Sequence, residues 1–449
     1  MVTLKTPNTP ANWQLFEWIF DPTGYLERNQ SKLGDTFNAR LGVNFDRFIF
    51  ISHPDHVRTI LSAPARCFDA GRANGILGPL VGDNSLLLLD GAAHKQQRQL
   101  LMPPFHGDRM ATYGKIITQV TGQAIDRQPQ GEAFRVRSLT EEITMRVILN
   151  AVFGLNEGGR YETMRRTMST FLNMTASPVK SSLLFFPSLQ QNLGPWSPWG
   201  RFLAIRDQLD ALLYAEIQQR RQESPDERQD ERQDILSMLL LARDEEGQGM
   251  SDKELRDELV TLLLAGHETT ATALAWALYW VHRCETVRDR LIEEITALGD
   301  NPDPMAVFKL PYLTAVCNET LRIYPVAMVT FPRITNEPFS VGDYQFPAET
   351  VLAPCIYLTH HRDDIFPDSH SFKPERFLER QYSPYEFYPF GGGNRRCLGM
   401  ALALYELKLA LATLVTKHEF TLPDQPPVKP VRRGITLAPS AGLSLVKTR

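Results

Sequence analysis

The chain has 449 residues, 43% of them hydrophobic and 22% charged, and its 48 Lys and Arg against 52 Asp and Glu give a formal charge of −4. That balance excludes a disordered, collagen-like or coiled-coil chain, and it offers no basic surface of the kind a nucleic-acid partner requires. Length alone would admit about three domains. The first seventy residues alternate short β-like runs, such as 47–52, with Gly- and Pro-rich turns. Helical periodicity takes over at 92–101, 109–126, 139–153 and 161–176. Residues 181–200 break it, because Leu183, Leu184, Phe185, Phe186, Trp196 and Trp199 sit there among prolines. So apolar a connection either packs on a core or forms a lid. A helix fits 201–222, and the polar stretch 218–234 reads as a solvated helix end and loop. Ser251 and Glu254 form a capping-box pattern, opening a helix that can run without proline to Cys284 or beyond. Further helices fit 287–298 and 310–324, the second closed by Pro325. Residues 326–354 read as short strands and turns, 357–386 as irregular, and 398–417 as a last long helix before a strand-and-turn tail. No repeat or linker divides the chain, so the prediction is one unit over 1–449, mainly α with small β-sheets.

Five cysteines (Cys67, Cys284, Cys317, Cys355, Cys397) are too few and scattered for a disulfide framework and include no C-x-x-C pair. They point to a reducing compartment. No signal peptide is visible, and the apolar run 13–20 is short and interrupted by Glu17. Residues 259–281 are nearly uncharged, but His267 and Glu268 would stand in mid-bilayer if they crossed a membrane. A buried central helix is the better reading, with no transmembrane anchor.

Three local patterns can carry chemistry. In Phe390-Gly391-Gly392-Gly393-Asn394-Arg395-Arg396-Cys397-Leu398-Gly399, glycines crowd around a cysteine just before a helix. That placement aims backbone N–H groups at the sulfur and favours thiolate, as a nucleophile or metal ligand needs. The alternative is a glycine-rich turn with an incidental cysteine. In Ala265-Gly266-His267-Glu268-Thr269-Thr270, small residues would let a flat ligand approach a helix, and the polar groups could relay protons or be satisfied internally. Glu319 and Arg322, at i and i+3, share one helical face as an ion pair does.

Together and in this order the three patterns resemble the cytochrome P-450 superfamily of haem-thiolate monooxygenases. The cysteine segment fits F-x-x-G-x-R-x-C-x-G, Ala265 to Thr270 fits A-G-x-E-T-T, Glu319 and Arg322 fit E-x-x-R, and Pro374-Glu375-Arg376-Phe377 fits P-E-R-F. The resemblance implies the P-450 fold, with haem b (iron protoporphyrin IX) between the long central helix and the cysteine loop. It implies Cys397 as the iron ligand, Phe390 packed near sulfur and porphyrin, and backbone donors through Gly399 tempering the thiolate charge. Ala265 would lie against the haem. His94 and Arg98, at i and i+4, match the family's propionate-binding pair, with Arg395 and Arg333 as third and fourth contacts. Glu319, Arg322 and Arg376 resemble the buried network that fixes the fold around the haem loop. Glu268 and Thr269 resemble the acid–alcohol pair that feeds protons during dioxygen activation.

The implied pocket, from 72–89, 171–199, 262–265, 326–331 and 441–443, is mostly apolar through Ile76, Leu77, Leu86, Leu87, Met328, Val329, Phe331 and Leu443. It suits a lipophilic fatty acid, terpenoid or steroid-like molecule. Arg72 is either a partner for a substrate carboxylate or a solvated arginine. Nothing resembles a flavin or nicotinamide domain, so electrons are expected from ferredoxin or flavodoxin with a separate NAD(P)H reductase, in the cytoplasm. Arg109, Arg396 and Lys408 are candidate basic contacts for that acidic partner. Rival readings are a haem-thiolate isomerase or coupling enzyme, and a non-catalytic haem sensor; the intact Glu268 and Thr269 favour oxygen insertion over both.

Overall fold

The computed structural model describes residues 4–41, 47–105, 109–174, 186–222 and 234–448, together with 176, 177, 180 and 184. Its axis is the helix Asp252–Arg283, 32 residues or about 48 Å long. The predicted capping box closes its first turn: Glu254 N donates to Ser251 Oγ at 3.3 Å, and Ser251 N to Glu254 Oε2 at 2.7 Å. Around this central helix pack the helices Val136–Phe153, Pro198–Gln222, Pro311–Ile323 and Met400–Lys417, with Arg109–Asp126 packed on Val136–Phe153 and Met400–Lys417. They share one continuous apolar core. Among the described residues no helix is long and apolar enough to cross a membrane.

At Gly266 the central helix meets Val136–Phe153 so closely that an added Cβ would lie 2.8 Å from Ile148 Cδ1. The glycine expected to admit a flat ligand therefore serves helix–helix contact, and its neighbour Ala265 is the exposed residue.

The first seventy residues differ from expectation. They hold three helices, Ala11–Phe20, Pro22–Leu33 and Pro54–Leu61. Pro22 and Pro54, read as turn residues, stand in the first turn, where a missing N–H costs nothing. Strands do follow in a five-stranded sheet ordered Thr36–Ala39, Phe48–Ile51, Val351–Pro354, Arg333–Thr335, Phe68–Asp69, parallel only between the second and third. Phe48 and Phe50 join one apolar cluster and Ile49 and Ile51 another. Both faces are thus covered, which is why Phe48–Ile51 is an unbroken apolar run. The stretch 357–386, read as irregular, holds the short helices Ile356–His360 and Arg376–Glu379.

Of the apolar connection, Leu184 and Trp199 are buried while Trp196 is 88% exposed; 181–183 and 185 lie outside the described residues. So do 223–233 of the polar stretch.

Candidate functional site

The cysteine loop is shaped by its glycines. Gly391 (φ +66°) and Gly393 (φ +64°) adopt left-handed backbone, and a Cβ on Gly393 would stand 2.2 Å from the Leu61 carbonyl oxygen. Only glycine allows both the conformation and the approach. The turn closes with Cys397 N donating to Phe390 O at 3.0 Å, and Gly399 is the N-cap of Met400–Lys417. Phe390 is half-buried against the main core. Cys397 itself is exposed, yet the protein around its sulfur pushes the thiol pKa up by desolvation. The N–H of Gly399 and the charges of Arg98 and Arg396 pull the other way. The assistance expected from the helix start is present but smaller than the effect of burial.

On the central helix, Ala265 is exposed between buried Leu263 and His267. Thr269 Oγ1 donates to Ala265 O at 2.5 Å, one turn back on the same face. Glu268 points elsewhere, since its Oε1 accepts from Arg137 Nη2 at 2.6 Å and lies 3.3 Å from Arg433 Nε. His267 Nδ1 is 2.7 Å from Thr144 Oγ1, and burial pushes its pKa down to about 3.

The basic residues separate into two roles. His94 and Arg98 lie on Gly91–Leu101, and His94 is pushed down to about 4 by burial and then by the charges of Arg395 and Arg98. Arg98 is lowered by burial, against the attraction of Cys397. The Arg98 cation and the neutral His94 imidazole, a hydrogen-bond donor, fit a site for an anionic group. Arg395 instead spends its Nη atoms inside the protein, on Leu86 O (3.2 Å), Leu89 O (2.5 Å) and Asp90 Oδ1 (2.6 Å). Arg333 donates to Ile60 O (2.9 Å) and Gly392 O (3.0 Å), stitching the 54–61 helix to the cysteine loop. Burial, then Arg395, lowers it to about 10. In both arginines the buried Nε has no partner.

Beneath the site, Glu319 Oε1 and Oε2 accept from Arg322 Nη2 (2.8 Å) and Nε (2.6 Å), and Oε1 also from Arg376 Nε (3.1 Å) and Lys373 N (2.8 Å). Arg322 continues to His360 O and Ser371 O, tying the helix to the segment that leads into the cysteine loop.

One expectation is corrected. Lys408 is not a surface contact: it is buried, with Nζ donating to Phe308 O (2.9 Å) and Thr314 Oγ1 (2.7 Å). Of the two readings of Arg72 the solvated arginine fits, since the side chain is exposed and makes surface ion pairs with Asp69 (3.4 Å) and Glu349 (3.0 Å). Arg396 is exposed as expected. Within the expected pocket wall, Leu77, Leu86, Met328 and Leu443 are buried in the two cores, leaving Ile76, Leu87, Val329 and Phe331 half-buried.

The sequence reading missed the clamp on residues 82–90. Asp257 Oδ2 accepts from Asn84 N (3.0 Å), Thr261 meets Ser85 (2.7 Å), and Glu258 Oε1 accepts from Leu86 N (2.7 Å) and Gln97 Nε2 (3.0 Å). A signal existed, since Asp257 and Glu258 are acids directly preceding an apolar helical run.

Comparison with known proteins decides the family. The cytochrome P450 family model matches residues 5–445. The chain belongs to the cytochrome P450 family. Among curated relatives, "Putative cytochrome P450 135B1" of Mycobacterium tuberculosis is 36% identical over 420 residues, covering 93% of this chain and 85% of the relative. "Putative cytochrome P450 135A1" of the same species is 32% identical, covering 98% and 94%. Two solved structures share the fold: "Retinoic acid bound cyanobacterial CYP120A1" (TM-score 0.83, 24% identity, 99% of both chains) and "Crystal structure of cytochrome P450DA heme domain" (TM-score 0.84, 21%, 100% of this chain and 98% of that one). P450 proteins bind haem b, and the exposed Cys397, the exposed Ala265, the Arg98 cation and the His94 imidazole beside it fit it.

Proposed function

We propose that this cytochrome P450, a haem-thiolate monooxygenase by family, hydroxylates a lipophilic substrate in the cytoplasm as a single haem domain supplied with electrons by a ferredoxin or flavodoxin. Two observations carry the reading: an exposed Cys397 on a glycine-built loop, and on the central helix an exposed Ala265 whose carbonyl accepts from half-buried Thr269. Haem held through a cysteine thiolate supplies the chemistry of dioxygen activation and oxygen insertion. Cys397 would be its ligand, the metal charge overcoming the burial that raises the thiol. His94 and Arg98 would meet the propionates, with the unpartnered Nε of Arg395 and Arg333 adding positive field from behind. Phe390 and Gly399 would shape the sulfur's surroundings.

Thr269 holds its hydroxyl proton on Ala265 O and so turns a lone pair outward, where it can accept from water and pass a proton on. Glu268, one residue earlier in the chain, would be the acid that supplies it on leaving Arg137 and Arg433. Half-buried Leu264, Val326 and Phe331 give apolar surface, which supports a lipophilic substrate. The exposed Arg396 supports docking of an acidic electron donor on the cysteine side.

The deciding experiment is the reduced, CO-bound spectrum: a strongly red-shifted Soret band in the wild type and its loss in Cys397→Ser. A wild type without that band would sink the reading. Spin-state titration with fatty acids, terpenes and steroids, followed by product analysis, then tests the substrate class. Thr269→Ala is expected to keep the band while consuming reducing equivalents and releasing peroxide.

A further inference from the structure

Glu268 belongs to a closed ring of four charged side chains drawn from three elements. Arg137 and Glu141 lie one turn apart on Val136–Phe153, Glu268 is on the central helix, and Arg433 is on the strand Pro430–Arg433. Arg137 reaches Glu141 Oε1 (2.7 Å) and Glu268 Oε1 (2.6 Å), while Arg433 reaches Glu141 Oε1 and Glu268 Oε1, both at 3.3 Å. Signs alternate around the ring and sum to zero, and each acid meets both arginines through a single oxygen. Only two of the four contacts, Arg137 Nη2 to Glu268 and Arg433 Nη2 to Glu141, are directed hydrogen bonds. The buried Nε atoms of both arginines have no hydrogen-bond partner, so the other two contacts are charge attraction alone. The side chains are 20–33% exposed, which makes each pair worth more than a surface bridge and less than a sealed one. His267 beside the ring is neutral and adds no charge to it.

From these contacts we infer that Glu141 is a positioning residue for Glu268: it is the standby counter-ion that lets Glu268 leave the two arginines and turn toward Thr269. The inference rests on Glu268 and Thr269 acting as the proton-feeding pair. If Glu268 were the sole acid, its departure would strip two half-buried guanidiniums of their only partner. With Glu141 already touching both, the arginines stay paired, and the departure loses attraction without leaving an isolated charge. Ring balance therefore sets how readily the acid moves. Removing Glu141 leaves two arginines claiming Glu268 and holds it in place. Removing Arg433 as well takes away one of the two claims, so Glu268 is held by Arg137 alone and leaves more readily than in the single variant, though still without a standby.

The test uses haem-loaded protein with NADH, a ferredoxin and its reductase, and no added substrate. Dioxygen leaves as peroxide after two electrons and two protons, and as water after four of each, so peroxide per NADH reports proton supply. Glu141→Gln is expected to raise the peroxide-to-water ratio about fivefold, and Glu141→Gln/Arg433→Gln to bring it part of the way back toward wild type. A second readout needs no turnover. The non-additivity of Glu268→Gln and Arg433→Gln in thermal midpoint should grow when Glu141 is Gln, because the pair loses its competitor. If Glu141→Gln matches wild type while Glu268→Gln raises peroxide, Glu141 has no positioning role and the inference falls alone. A double variant worse than Glu141→Gln also overturns it, since simple structural damage accumulates. If Glu268→Gln and Thr269→Ala both match wild type, the proton-feeding reading falls and takes the inference with it.

Discussion

Glu319→Gln isolates the network beneath the cysteine loop. The side chain keeps its shape, but where the carboxylate accepts from Arg322 twice, from Arg376 and from Lys373 N, the amide has one acceptor oxygen and turns an NH2 toward guanidinium donors. Glu319 and Arg322 side chains are 0% exposed and Arg376 is 7% exposed, so the change leaves two buried cations without a counter-charge. Breaking a buried pair from one side costs about 3–5 kcal/mol. The thermal consequence is smaller than that figure suggests. At about 2 cal/mol/K per residue, 449 residues carry an unfolding entropy of about 0.9 kcal/mol/K, so the midpoint falls by only about 3–5 °C. Circular dichroism melts of the haem-loaded proteins resolve such a shift, and Arg28→Ala supplies the control. Arg28 pairs with Glu17 and Asp21 but is 46% exposed, so its loss should move the midpoint by less than about 1 °C. If Glu319→Gln moves it no further than Arg28→Ala, the network does not hold the fold as argued.

Gly393→Ala should cut the yield of the CO-bound thiolate band severely, because the residue sits at φ +64° and its Cβ would strike the Leu61 carbonyl; Gly399→Ala, at φ −85° with nothing within 4 Å, should leave the band intact. Equal losses in the two would refute the geometric argument. Lys408→Met should destabilise the protein without altering the salt dependence of its reduction, whereas Arg396→Glu should alter that dependence; stopped-flow reduction at two ionic strengths separates them. Glu258 is raised to about 8, chiefly by burial, so the folded state holds a proton that the unfolded chain releases near 4.5. Its contribution to stability therefore falls as pH rises between those values, by on the order of 1 kcal/mol per pH unit, and Glu258→Gln lacks that loss. Urea midpoints at pH 5.5 and 7.5 should show the variant gaining on wild type at the higher pH; an unchanged gap would contradict the linkage.

What could be read ahead of the structure was local. The cysteine loop was legible because backbone geometry alone demands glycine at Gly391 and Gly393, and the central helix because Ser251, Glu254 and an unbroken apolar run lie within a few turns of one another. The long helix 109–126 appears with the predicted bounds. The N-terminal helices were missed because Pro22 and Pro54 signal a turn as well as a helix start, and the three helices are short. Lys408 was misjudged because lysine is rarely buried, and its acceptors Phe308 O and Thr314 Oγ1 lie about a hundred residues away. An even larger separation hid one partner of Glu268: Arg433 is on a strand read only as part of a tail.

Asp90 shows what such long-range wiring does to the site. Its carboxylate accepts from Gly71 N (2.8 Å), Arg72 N (2.9 Å) and Arg395 Nη2 (2.6 Å), so it joins the turn at 71–72 to the cysteine loop. The residues just before it are clamped to the central helix through Asp257, Glu258 and Thr261, and Arg395 also holds Leu86 O and Leu89 O. Segment 82–90 is thus a strap with one side on the helix that presents Ala265 and Thr269 and the other on the loop that presents Cys397. The separation of those two faces is set by its length and by the hydrogen bonds along it. This also explains why Arg395 spends its Nη atoms on the strap: an arginine that fixes the gap must be held by the protein, while His94 and Arg98, on the next helix, remain to meet an anion. In the proposed reading, the cysteine motif thus carries Cys397 for the iron and Arg395 for the strap.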